Sequence, residues 1–160
     1  MSKILLVSLA TICSLALAGE ALGANTDSHT VTVTVAAINE LAISGGNITL
    51  TLNSATPGSD LDDATDDTTC DLLWTTNELT KKITAETNLG APNFVLKVTA
   101  TNVTGGTAAG EVTLSTTATD FVTGVAMTTG TCDLSYVASA TAAQGTGTDV
   151  HTVLYTLTDA

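Results

Sequence analysis

The sequence predicts an all-β protein, an antiparallel sandwich of about eight or nine strands. Threonine makes up about a fifth of the 160 residues, and side chains with a branched Cβ fit a pleated sheet better than a helix. Short stretches of alternating apolar and polar residues recur about every 10 to 15 residues, as the strands of a sandwich do. No stretch beyond residue 24 repeats its apolar residues with the period of a helix.

Residues 1–24 have the pattern of a cleaved secretory signal. Lys3 gives the positive flank, residues 4–18 are apolar, and small residues follow. This run is shorter than the roughly 20 apolar residues that a membrane span needs. A lipid anchor at Cys13 is disfavoured because the residue before it is not small. We therefore expect a secreted protein of the extracellular space or cell surface, which crosses a periplasm if the organism is Gram-negative.

Residues 25–160 have the length of one domain and are strongly acidic. Their basic residues are Lys81, Lys82 and Lys97, whereas the whole sequence has 16 carboxylates and a net charge of −12. Binding to phosphates requires several basic side chains on one surface. We therefore expect no nucleic-acid partner, and no membrane partner once the signal has been removed.

The cleanest alternation in the chain lies directly after the predicted signal. Val31, Val33 and Val35 share one face of residues 30–35, and threonines occupy the other face. This pattern predicts a half-buried strand. A Ser-Gly-Gly turn at residues 44–46 and a second alternation at residues 47–52 then predict a hairpin.

An acidic stretch at residues 53–67 interrupts the strands, and its lack of apolar periodicity predicts a surface loop. Its carboxylates are Asp60, Asp62, Asp63, Asp66 and Asp67. Calcium binds six to eight oxygens, several of which this loop could supply. The spacing differs from that of the helix–loop–helix calcium motif, and mutual repulsion would equally keep the loop solvated. Calcium is therefore one of two interpretations.

Thr-Cys-Asp-Leu occurs twice, at residues 69–72 and 131–134, and an aromatic residue follows each copy two positions later. In a strand, each copy places cysteine, leucine and the aromatic on one face. No other cysteine lies beyond residue 24, so in an exported protein these two are expected to form a disulfide with the aromatics packed nearby. The predicted bridge and its neighbours are Cys70, Cys132, Trp74 and Tyr136. Further strands are predicted at residues 81–86, 94–100, 111–115, 121–127 and 150–158.

An antiparallel sandwich with a disulfide beside an aromatic is similar in architecture to an immunoglobulin-like domain. In layout the chain resembles the secreted pilin-like subunits of the spore coat U and fimbrial kind. The shared features are a signal peptide, an immediate Val-Thr-Val-Thr-Val strand, turns rich in Gly, Thr and Ala, and a closing strand, here at residues 152–157. The resemblance implies a β-sandwich that assembles into a surface structure.

Catalytic motifs are absent from the sequence, and neither His29 nor His151 belongs to a recognisable catalytic arrangement. We therefore expect a protein that is not an enzyme and needs no cofactor. Asn47 and Asn102 begin glycosylation triplets that would matter only in a glycosylating organism. The alternative function is a secreted module that binds carbohydrate or another surface. Such sites usually present exposed aromatics, whereas most aromatics here are predicted to face inward.

A structural subunit of a filament, coat or matrix is the preferred function, with self-association as its partner interaction. Val31, Val33 and Val35 are then a candidate donor strand, because a strand added to the open sheet edge of a neighbour inserts alternate side chains into it. The same residues also fit an ordinary first strand of their own sandwich. The sequence leaves both interpretations open.

Overall fold

The computed structural model describes residues 25–160, so the predicted signal and Cys13 lie outside the described residues. The chain divides into two units, Met1–Thr34 and Val35–Ala160. The predicted domain began at residue 25, whereas the unit that contains the strands begins at Val35. Within residues 25–160, no helix has the length and apolar character needed to cross a membrane.

Residues 25–160 contain ten strands and one short 3-10 turn at Ala142–Gln144. In chain order the strands are β1 (Asn39–Ser44), β2 (Ala64–Asp66), β3 (Asp71–Thr76), β4 (Lys81–Thr87), β5 (Val95–Thr104), β6 (Thr107–Ala108), β7 (Val112–Thr113), β8 (Thr119–Val125), β9 (Thr128–Ser139) and β10 (Val153–Asp159). The larger sheet has the order β1-β3-β9-β5-β7, with β2 also paired to β9. The smaller sheet has the order β10-β4-β8-β6.

All strand pairs are antiparallel, so the predicted all-β class with antiparallel sheets is confirmed. From β3 to β10, each strand lies in the sheet opposite to that of the strand before it. An immunoglobulin-like domain instead pairs some consecutive strands within one sheet. The strand order therefore does not confirm the immunoglobulin-like arrangement.

The first Thr-Cys-Asp-Leu copy leads into β3, and the second lies within β9. These two strands are neighbours in the larger sheet. Their alternation is as predicted, because Leu72 and Trp74 on β3 and Leu134 and Tyr136 on β9 are all buried. The hydroxyl of Tyr136 lies 2.8 Å from that of Tyr155 on β10. This buried hydrogen bond joins the two sheets through the core.

The predicted disulfide is not present in the structure: Cys70 and Cys132 are buried free thiols. The reason is the register, in which Asp71 lies opposite Asp133 and Leu72 opposite Cys132. Antiparallel pairing about the two aspartates places each cysteine beside the leucine of the other copy, and the Leu134 amide donates to the Cys70 carbonyl at 2.9 Å. Diagonal neighbours of this kind have Cα atoms roughly 7–8 Å apart, beyond the usual range of about 4.4–6.8 Å for a disulfide.

Two stretches predicted as strands form none. Residues 30–35 belong to no sheet, and the side chains of Val31, Val33 and Val35 are 72%, 83% and 74% exposed, so the prediction of a half-buried strand is wrong. Residues 47–52 are half-buried at Ile48 and Leu50, which pack against the core, but they also form no strand. Conversely, β2 lies inside the acidic stretch that was predicted to be entirely loop.

Candidate assembly site

The first component of the site is an extended segment, residues 25–36, which we call the valine arm. Among the described residues, no backbone-to-backbone hydrogen bond involves this arm. Its three valines expose most of their surface, and residues 28–36 contain no carboxylate or lysine. Residues 29–35 of the arm therefore combine an alternating sequence without carboxylate or lysine with a backbone that makes no hydrogen bond to a described residue.

Asn77, directly after β3, fixes the point at which the arm joins the sandwich. Its side-chain amide donates to the Ala36 carbonyl at 2.7 Å and its side-chain oxygen accepts from the Ile38 amide at 2.8 Å. The Asn77 backbone amide adds a bond to the Ile38 carbonyl at 3.2 Å. The start of the sandwich is thus held at the Thr76 end of β3, because Thr76 lies opposite Asn39.

The second component is an open cleft of about 660 Å³. It lies where β9 ends and where β5 and β10 begin, and residues 46–52, which we call the cover segment, line it as well. Ile43 on β1 lies opposite the buried Leu72 and so faces inward, yet it remains 50% exposed because it borders this cleft. The sandwich is therefore incompletely closed at this end.

Unpaired backbone borders the cleft. In the part of the chain that the structure describes, β10 pairs with β4 alone; β1 lies near its other edge without pairing to it, and Val153, the first residue of β10, lines the cleft. The cover segment makes no backbone-to-backbone hydrogen bond to any described residue. Extended backbone with open amides and carbonyls is a template on which another strand can pair.

Two polar side chains at the cleft, Asp149 and His151, are hydrogen-bonded to other residues of the chain. The Asp149 carboxylate accepts from the Phe94 amide at 2.8 Å and from the Asn93 side chain at 2.9 Å. The hydrogen bond from Phe94, with smaller help from Asn93 and His151, lowers the pKa of Asp149. His151 Nδ1 lies 3.1 Å from the hydroxyl of the buried Thr87. His151 is thus half-buried and hydrogen-bonded, while His29 is exposed on the arm.

Of the two buried thiols, one lies at the cleft and the other, Cys132, lies in the core opposite Leu72. Cys70 lines the cleft, and its Sγ lies 3.0 Å from the Gly46 carbonyl, to which it donates. Burial raises the pKa of Cys70, and it raises the pKa of Cys132 to about 11. Both thiols are therefore protonated near neutral pH.

Alkaline pH should weaken the fold through Cys132. Its unfolded pKa is close to 9.0 and its folded pKa about 11, so the stabilisation is complete below pH 9 and is lost as the pH rises towards 11. We expect a loss of about 2 kcal/mol by pH 10.5, less than the full value of the shift because pH 10.5 still lies below the folded pKa. Urea unfolding at pH 8 and pH 10.5 measures it, and Cys132→Ala should show a smaller loss. An equal loss in that variant would assign the effect to Cys70, Tyr136 and Tyr155, whose pKa values burial also raises.

Two of the carboxylates that were predicted as calcium ligands accept hydrogen bonds from nearby groups of the chain. Asp66 accepts from the Thr69 amide at 3.1 Å and from its hydroxyl at 2.6 Å, and this hydroxyl bond is the largest cause that lowers the pKa of Asp66. Asp60 accepts from the Ala142 amide at 3.0 Å. Among residues 25–160, no group of three acidic, histidine or cysteine side chains is arranged to hold a metal ion.

The two glycosylation triplets differ in their surroundings. Asn47 is exposed on the cover segment, and Asn102 is exposed on β5. The Asn102 side-chain amide donates to Asp133 at 2.6 Å, and its backbone has a φ of 52° next to a shift in strand register. A glycan on Asn102 would replace one hydrogen of an amide that already donates to Asp133, whereas the Asn47 side chain makes no hydrogen bond to a described residue, so Asn47 is the more accessible acceptor.

All five aromatic residues lie in the described part of the chain. Trp74, Phe121, Tyr136 and Tyr155 are buried, and Phe94 is half-buried beside the cleft. The Phe121 and Tyr155 rings pack with centroids 5.1 Å apart. No described aromatic ring therefore forms the exposed platform on which sugars usually stack.

No known protein family, curated protein or solved structure matches this chain. The arm and the cleft therefore rest on this chain's own geometry. Sequence reasoning identified the three valines as a candidate donor strand but missed the cleft and Asn77. A signal for the cleft was present in the apolar alternation of residues 47–52, which was assigned to a hairpin.

Proposed function

We propose that this protein is a secreted structural subunit that polymerises into an extracellular filament, coat or matrix by donating its valine arm to a neighbouring copy. The observation that carries the proposal is the exposure of Val31, Val33 and Val35, which is 72–83% in a segment with no sheet partner. An uncovered apolar stripe of this kind marks an interaction surface. Strand addition uses such a stripe, together with its free backbone.

The energies indicate that side chains and backbone must act together. Full burial of three valines contributes roughly 5–9 kcal/mol, at about 1.5–3 kcal/mol each. Association alone costs on the order of 4–15 kcal/mol in lost motion. Valine burial is therefore offset in large part, and a ladder of backbone hydrogen bonds has to supply the remaining affinity.

The competing interpretation, an ordinary first strand, requires valines that pack against the protein's own core. The core cluster includes Leu41, Ile48 and Leu50 among its partly buried members but none of the arm valines. Binding of carbohydrate, the other alternative, is supported by no exposed aromatic among residues 25–160. Donation of the arm accounts for the three exposed valines, whereas neither an ordinary first strand nor carbohydrate binding does.

The test replaces all three arm valines with serine (Val31→Ser, Val33→Ser, Val35→Ser) in the full chain, expressed in a secreting host. We expect the unchanged protein to form polymers visible by electron microscopy and the variant to sediment as a monomer. Its thermal midpoint should equal that of the unchanged protein at a dilution at which that protein is monomeric, because the side chains are exposed in the single copy and polymerisation itself raises the midpoint. The matched control is serine at Thr30, Thr32 and Thr34, which alternate with the valines and should leave polymers intact. A valine variant with a markedly lower midpoint would instead place the arm in its own sheet.

A further inference from the structure

We propose that the open cleft binds a small apolar molecule that carries one cationic group, such as an alkylammonium or arylalkylammonium ion. This binding activity goes beyond assembly and does not rest on it, because every residue that lines the cleft belongs to the unit that begins at Val35. Three features of the described residues support this ligand: the apolar lining, a carboxylate next to an aromatic residue, and the placement of the lysines.

The apolar lining receives the hydrophobic part of the ligand. Buried residues of β9 and half-buried residues of β5, β10 and the cover segment border the cleft: Leu134, Tyr136, Leu96, Val153, Ile48 and Leu50. Its volume of about 660 Å³ lies within the range of roughly 300–1,000 Å³ that small-molecule sites occupy. Removal of apolar surface from water is therefore the main source of affinity.

The Asp149 carboxylate, which lines the cleft, supplies the negative charge. Its two oxygens accept one hydrogen bond each, from the Asn93 side chain and from the Phe94 amide. A carboxylate has about four lone-pair positions, so each oxygen can accept a further bond. The bond from Phe94 is the largest cause that lowers the pKa of Asp149, which keeps this group ionised at neutral pH. An ammonium group donates a charge-assisted hydrogen bond to it, stronger than one from a neutral donor.

Phe94 is a second feature that favours a cation. Its side chain lines the cleft together with Asp149, and its amide is bonded to that carboxylate at 2.8 Å. A Cβ atom added at Gly147 would lie 3.3 Å from the ring atom Cζ, so the ring packs against the backbone of this loop. The face of an aromatic ring attracts a cation that lies within about 6 Å of its centre. Carboxylate and ring together therefore form a site for an ammonium group.

The lysines disfavour an anionic ligand. No lysine lines the cleft, and residues 25–160 contain no arginine. Lys81, Lys82 and Lys97 all pair with carboxylates elsewhere, at distances of 2.6–2.9 Å. A protein with a net charge of −12 attracts cations and repels anions. A fatty acid of the same size would therefore bind more weakly than the corresponding amine.

The test compares three ligands that share an eight-carbon chain: octylammonium, octanol and octanoate. The valine-to-serine variant of the full chain is used, so that assembly does not compete with the ligand. Saturation-transfer difference NMR, which detects weak ligands, measures each dissociation constant by titration. We expect octylammonium to bind most tightly and octanoate most weakly. Absence of binding, equal affinity for the three ligands, or tighter binding of octanoate would overturn the proposal.

A charge variant then locates the cation. Asp149→Asn keeps an oxygen that can accept from the Phe94 amide and removes the charge, so it should weaken octylammonium at least roughly tenfold and leave octanol unchanged. The matched control is Glu40→Gln, which removes an exposed carboxylate of β1 outside the cleft and should leave all three constants unchanged. An unchanged octylammonium constant in Asp149→Asn, or an equal loss in Glu40→Gln, would place the binding elsewhere on the acidic surface.

An apolar variant locates the chain of the ligand. Leu50→Asp puts a charge into the lining and should abolish the binding of octanol. The control is Leu73→Asp, which is 41% exposed and lies between the inward-facing Leu72 and Trp74, so that it points away from the core and should retain the binding. Leu52→Asp replaces Leu50→Asp if circular dichroism shows that the latter is unfolded. Octanol binding that survives in the folded cleft variant would overturn the proposal.

Discussion

Gly130→Ala is expected to destabilise the protein by about 3–5 kcal/mol, as much as the loss of a core aromatic. Gly130 on β9 lies opposite Trp74 on β3. A Cβ atom at this position would fall well inside 3.0 Å of the indole atoms Cε2, Cζ2 and Nε1. The indole is 2% exposed and enclosed by the core, so it has no free space into which to move. Overpacking alone usually costs about 1–3 kcal/mol, and displacement of a buried tryptophan adds to that cost.

Urea unfolding of the purified protein measures this loss. Gly46→Ala is the control, because a Cβ atom there would meet nothing within 4 Å and the backbone does not require a positive φ. It should change the free energy of unfolding by less than about 1 kcal/mol. A loss at Gly130 no greater than that at Gly46 would mean that the indole does not cover the glycine in solution.

Alternation along a strand could be predicted from the sequence because it depends only on which residues are apolar. It identified β3, β9 and β10 and gave the inward faces of β3 and β9 correctly. It cannot say which partner covers an apolar face. Val31, Val33 and Val35 show the pattern of a half-buried strand, yet no described residue buries them. A strand whose apolar face is covered by another copy and one whose apolar face is covered within its own chain show the same alternation in the sequence.

The disulfide prediction was not confirmed, for a related reason. The sequence shows that Cys70 and Cys132 occupy inward positions, and the structure confirms that both are buried. The register decides whether two such residues are opposite or diagonal, and it is set by the whole sheet. Pairing about Asp71 and Asp133 makes the cysteines diagonal neighbours. Likewise, the cleft depends on where β10 begins relative to β9, which no local pattern records.

Trp74→Ala is expected to cost about 3–5 kcal/mol of unfolding free energy, the usual range for deletion of a core aromatic. The indole is buried, and its Nε1 has no hydrogen-bond partner among the described residues. An unsatisfied buried donor costs roughly 1–3 kcal/mol, so Trp74→Phe, which removes it, should lose much less stability than Trp74→Ala. Native fluorescence should be blue-shifted and protected from quenchers. An emission maximum like that of free tryptophan would instead place the indole on the surface.

The double variant Trp74→Ala, Gly130→Ala isolates the contact between the two strands. Without the indole, a Cβ at position 130 no longer meets the ring atoms that obstruct it. The second substitution should therefore add less than about 1 kcal/mol to the loss caused by Trp74→Ala alone, and the two effects should be strongly non-additive. Urea unfolding of the four proteins in the cycle measures this coupling. Additive losses would show that Gly130 is required for the backbone of β9 itself and not for the space that Trp74 occupies.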